Sequence, residues 1–129
     1  MRFVLSGVLI AVVLSASGCD SHGGLPEADY KRAKSALESA LAAWQKGEPA
    51  KKWAVKNAKV RFLDDAWAQK QKLLEYEILE IRANKDKAPE AIVRLKTRSA
   101  KGVELEREAL YGIDLRRSDQ ISIGRDPMY

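Results

Sequence analysis

The chain predicts an α+β fold, with an N-terminal amphipathic helix and a short second helix packed on an antiparallel β-meander of three to four strands. Three observations carry this. Apolar residues at helical spacing run from Tyr30 to Trp44. Strand-like alternation runs on both sides of Ala100-Lys101-Gly102. A last alternation, Ile121 and Ile123, precedes Pro127.

The first helix is the clearest element. Tyr30, Ala33, Leu37, Ala40, Leu41 and Trp44 form one stripe at the 3.6-residue period. Pro26, Glu27 and Asp29 suit its start, and Lys46-Gly47 its end. Lys31, Lys34, Ser35, Glu38 and Gln45 form the solvated side. Pro49 fits the first position of a second helix, in which Ala50 to Lys56 make two turns with Trp53 inward and Asn57 at the end. Val60 and Phe62 then alternate with Lys59, Arg61 and Leu63 as a short extended piece.

Residues 64 to 85 fit two periods. Trp67, Leu74, Ile78 and Ile81 are spaced as on a helix, whereas Leu74, Tyr76 and Ile78 alternate with Glu75, Glu77 and Leu79 as on a strand. Periodicity alone leaves both open.

The following hairpin is better specified. Ala91, Val93, Leu95, Thr97 and Ser99 alternate with Ile92, Arg94, Lys96 and Arg98. After the loop, Val103, Leu105, Arg107, Ala109, Tyr111 and Ile113 alternate with Glu104, Glu106 and Glu108. A three-residue loop favours a left-handed glycine at its last position, where Gly102 stands. That loop sets Arg98 opposite Glu104, Lys96 opposite Glu106 and Arg94 opposite Glu108; a two-residue loop would lose all three pairs.

The N-terminus carries an address. Met1-Arg2 is followed by a short apolar run, Phe3 to Leu14, and then by small residues, the layout of a secretory signal peptide over residues 1–18. The run is too short to span a bilayer, which needs about 20 residues. Leu14-Ser15-Ala16-Ser17-Gly18-Cys19 resembles the bacterial lipobox, although Ala16 replaces the favoured leucine. The resemblance implies cleavage before Cys19, acylation of its thiol with palmitate-like chains, and a membrane anchor of two or three chains, enough for stable attachment. Residues 19–26 read as a polar, glycine-rich tether, and 27–129 as a single domain. Asp20 resembles an inner-membrane retention signal of enterobacterial lipoproteins. The expected location is therefore the periplasmic or outer face of a bacterial membrane.

Cys19 is the only cysteine, which excludes a disulfide within the chain and a multi-thiolate metal site. Arg2 is the only charged residue before it, so 22 of the 23 Lys+Arg remain against 18 Asp+Glu. Such a mild excess suits an anionic membrane surface or glycopolymer and does not argue for nucleic acid; beyond the membrane, the expected partner is an envelope protein or an anionic polymer.

Residues that could do chemistry are few. His22, the only histidine, lies in the tether and completes neither a triad nor a metal site. Asp64-Asp65 reads as a turn or helix cap. Trp44, Trp53 and Trp67 read as packing anchors, with a surface aromatic patch as the weaker alternative. Arg107 stands out because it shares the phase of Leu105 and Ala109.

A long helix followed by an antiparallel meander resembles the cystatin-like, or nuclear-transport-factor-2-like, layout. "LAAWQKGE", "DDAW", "LLEYEI" and "YGIDLRRSDQISIGRDP" resemble patterns of small bacterial lipoproteins known chiefly from planctomycete genomes. The resemblance favours a strand over residues 73–83 and brings no activity or cofactor with it. Enzymes of the SnoaL-like and ketosteroid-isomerase-like branches work in a pocket between helix and sheet. Tyr76, Arg107 and Tyr111 are the residues here that such a pocket would use. The expectation is a non-enzymatic, membrane-anchored envelope lipoprotein, with the small-ligand pocket as the alternative.

Overall fold

The computed structural model describes residues 22–129, so the signal peptide, Cys19 and Asp20 lie outside the described residues. Three helices and five strands follow one another: α1 (Glu27–Gln45), α2 (Ala50–Lys56), β1 (Val60–Leu63), α3 (Asp65–Ala68), β2 (Lys72–Ala83), β3 (Pro89–Arg98), β4 (Glu104–Asp114) and β5 (Ile121–Arg125). The strands form one sheet in the order β1-β5-β4-β3-β2. The α+β arrangement is as expected, but the sheet differs from a three- or four-stranded antiparallel meander. It has five strands and is mixed, because β1 runs parallel to β5, with Val60 beside Ile121 and Phe62 beside Ile123. A four-residue strand carries too little pattern to announce its partner; β1 takes its place because β5 offers an otherwise open edge.

Helix α1 buries Ala33, Ala36, Leu37, Ala40, Leu41 and Trp44 against the sheet. The sheet answers with Leu73 and Ile81 from β2, Ala91, Val93 and Leu95 from β3, Ala109, Tyr111 and Ile113 from β4, and Ile123 from β5. Each fully buried aliphatic side chain contributes about 1.5–3 kcal/mol. Among the described residues the core runs from Leu25 to Ile123, so the segment 22–129 contains that core whole.

Residues 73–83 are strand, and two bulges explain their double periodicity. The β2–β3 register shifts between Leu73 and Glu75 and again between Ile78 and Glu80. Leu73 and Ile81 are buried, and Tyr76, Ile78 and Ala83 pack against the core, in steps of three and two residues. Each bulge adds one residue to a strand, and the mixed steps imitate part of a helical pattern.

The β3–β4 hairpin has the expected register, with Arg94 opposite Glu108, Lys96 opposite Glu106 and Arg98 opposite Glu104. Gly102 has φ +85, the left-handed conformation that its loop position requires. Only one of the three opposed pairs closes as an ion pair, Arg98–Glu104 at 2.6 Å. Arg94 turns to Glu77 on β2 instead.

The segment expected to be a loose tether is held down in its described part. Ala83 N–H donates to the Gly23 carbonyl at 2.8 Å, Leu25 is buried, and the His22 ring lies 4.6 Å from that of Tyr30. A β-carbon on Gly23 would come within 2.5 Å of the Arg82 backbone, so this approach requires glycine.

At the other end of α1, two helix C-termini meet. Helix α1 closes with Glu48 N–H to Ala43 O and Gly47 N–H to Trp44 O; α3 closes with Gln71 N–H to Ala66 O and Lys70 N–H to Trp67 O. Both are Schellman motifs. The two tryptophans bridge them reciprocally. Trp44 Nε1 donates to Gln71 O and Trp67 Nε1 to Glu48 O, each at 2.8 Å, with the rings stacked 6.0 Å apart. Trp53 packs on Trp67 at 5.7 Å. The tryptophans are thus packing anchors, as their expected role requires.

Candidate functional site

The most tightly organised polar group lies under the sheet, where β1 turns into α3. Asp64 ends the extended segment and caps α3, accepting from Ala66 N–H at 2.9 Å. Its side chain is fully buried. Tyr111 Oη donates to Asp64 Oδ2 at 2.5 Å, and Arg125 Nη1 donates to Oδ1 at 3.1 Å. Tyr111 is 0% exposed and packs 5.3 Å from Phe62. Burial, reinforced by the Asp64 charge, pushes the Tyr111 phenol far above its ordinary range.

Chemically, this cluster is closed. Both Asp64 oxygens are engaged, the Tyr111 proton is held between two buried groups, and the carboxylate has no surface for a substrate to reach. It locks β1, α3, β4 and β5 together at one corner. A buried carboxylate is tolerated when it is paired and hydrogen-bonded, and both conditions hold.

The residues expected in a pocket are separated. Tyr76 is half-buried and lines a cleft of about 300 Å³ between α1 and β2, with Tyr30, Lys34 and Glu38. Arg107 is exposed and lines a different cleft, of about 240 Å³, with Arg125, Asp126 and Tyr129. Tyr111 lines neither. Tyr76 and Arg107 do flank Leu95 in register, one on each neighbouring strand, but Leu95 between them is buried. Cys19 lies outside the described residues. Asp65 is exposed beside the buried Asp64, so the two acids have different roles.

Asp64 and Arg125 are the residues whose importance sequence reasoning missed. Asp64 was legible as a cap, and it is one; its second and third partners come from distant strands. Arg125 carried the same signal as Arg107, an arginine in phase with apolar neighbours, here Ile121 and Ile123. The half of β4 holding Arg107 has no β5 beside it, since β5 pairs only with Tyr111 to Asp114, and Arg107 therefore reaches solvent.

Among the described residues, no three His, Cys, Asp or Glu side chains gather as a metal site, and no helix is long and apolar enough to cross a membrane. No family model, no curated protein and no solved structure matches the chain.

Proposed function

We propose that this protein is a lipid-anchored module of the bacterial cell envelope that binds a partner rather than catalysing a reaction. The observation that carries the reading is the segment Leu14 to Asp20, a lipobox-like sequence with its cysteine just before a folded domain. The docking of Gly23 on Ala83 supports a close anchor. Gly23 is four residue steps after Cys19, and an extended chain covers at most about 3.6 Å per residue. The end of the sheet bearing the β2–β3 loop, with Lys85 and Lys87, would then face the headgroups, and the β3–β4 turn would point away. Asp20 favours the inner membrane. An envelope protein or an anionic polymer remains the proposed partner.

The finer fold reading, cystatin-like or nuclear-transport-factor-2-like, is supported by one long helix lying across a sheet of order β1-β5-β4-β3-β2. The isomerase-like alternative has less support, because Tyr76, Arg107 and Tyr111 do not share a cleft.

Cys19→Ser is expected to abolish incorporation of a clickable palmitate analogue in cells and to leave the uncleaved precursor. Label retained on the variant would sink the lipoprotein reading.

A further inference from the structure

The paired helix ends bound a cleft of about 580 Å³. That volume is in the range of small-ligand sites, about 300–1,000 Å³. Its accessible apolar lining is Pro49, Ala50 and Ala68 over the nearly buried Trp44 and Trp67, and the ammonium-bearing residues Lys51, Lys70 and Lys72 stand around it, all three exposed. None of these lysines forms a salt bridge among the described residues. Glu48, the one acid lining the cleft, is taken by Lys56 at 2.6 Å. Lys72 also sits directly across the ladder from another cation, Arg98.

The two Schellman motifs provide an internal control. They occupy equivalent places and exchange tryptophan hydrogen bonds, yet their left-handed residues differ. Gly47 has φ +87 and Lys70 has φ +66. Glycine adopts this conformation freely, and a β-carbon is penalised in it. At α3 the penalty is accepted, and the side chain that comes with it stands at the rim of the cleft. Each helix C-terminus contributes roughly half a negative charge at most. One lysine would offset that field; three exceed it.

We infer that this cleft is a binding site for a small anionic amphiphile, one carboxylate or phosphate group on an alkyl or aryl body, with the head held by Lys51, Lys70 and Lys72 and the body laid along Pro49, Ala50 and Ala68, above the buried Trp44–Trp67 pair. The inference names a ligand class for the binding module, and because the cleft belongs wholly to the domain, it stands whether or not Cys19 is acylated.

The test uses the domain 22–129 and three probes of equal chain length below their micelle concentrations: dodecanoate, dodecanol and dodecyltrimethylammonium. Dodecanoate is expected to shift the indole N–H resonances of Trp44 and Trp67 saturably and to bind at least tenfold more tightly than the other two. Lys70→Glu should abolish the preference. Lys70→Gly should weaken dodecanoate severalfold while raising the urea midpoint by relieving the backbone. Three results would overturn the site: equal binding of the cationic probe, shifts confined to other regions, or unchanged dodecanoate affinity in Lys70→Gly. The last would leave Lys70 a structural cap.

Discussion

Two Arg–carboxylate pairs, at different places in the sheet, rank one way by distance and the other way by burial. Arg98–Glu104 at the open half of the β3–β4 hairpin is short, 2.6 Å, with both side chains more than 40% exposed. Arg125–Asp64 is longer, 3.1 Å, but the aspartate is fully buried and the arginine only 18% exposed. Water competes for the first pair and screens it. It cannot reach the aspartate of the second, which also holds a tyrosine and a helix N-terminus. An exposed pair is therefore replaceable by hydration, whereas removing one partner of a buried pair strands the others.

The largest expected effect follows directly. Asp64→Ala should destabilise the domain by at least about 3 kcal/mol, since it leaves Tyr111 and Arg125 without their acceptor and removes the α3 cap. Urea denaturation of the domain measures it. A loss below about 1 kcal/mol, the worth of an exposed pair, would erase the distinction between the two regions.

Tyr111→Phe comes next. At neutral pH it should cost about 1–3 kcal/mol, the range for a buried hydrogen bond whose partner is left behind. Its pH dependence sharpens the comparison. The folded phenol has a raised pKa, so its contribution is fully present below the unfolded tyrosine value, near 10, and is lost as pH rises beyond it. Above pH 10 the wild type should lose about 1.4 kcal/mol per pH unit more than Tyr111→Phe. Parallel curves for the two proteins would mean that Tyr111 is not held protonated in the folded state.

The smallest effect belongs to the hairpin. In a double-mutant cycle on Arg98 and Glu104, the coupling should be weak and should vanish in 1 M salt, where screening acts over about 3 Å. The hydrogen bond from Arg98 lowers the Glu104 pKa. Its contribution should thus be present above the ordinary carboxylate range and lost as pH falls through the lowered value. A coupling that survives 1 M salt would show that this end of the sheet is shielded from solvent.

What could be read in advance depended on how local the cause was. The α1 stripe was legible because a helix pairs residues three and four apart. The hairpin register was legible because Gly102 set the turn and three opposed charges agreed with it, although Arg94 then chose Glu77 on the neighbouring strand. The double period of residues 64–85 had a local cause, the two bulges of β2, but their positions are set by pairing with β3.

Side-chain alternation, turn chemistry and helix caps are interactions among near neighbours, and the sequence by itself determined those: the first helix, the hairpin, and Asp64 as a cap. Tertiary structure alone decided that β1 would lie parallel to β5 and that Arg125, not Arg107, would be the arginine drawn inward. It also decided that Asp64 would meet Tyr111, 47 residues away, and Arg125, 61 residues away. A cap needs only the next turn of chain; a buried charge needs partners from whichever strands the closed sheet brings to it.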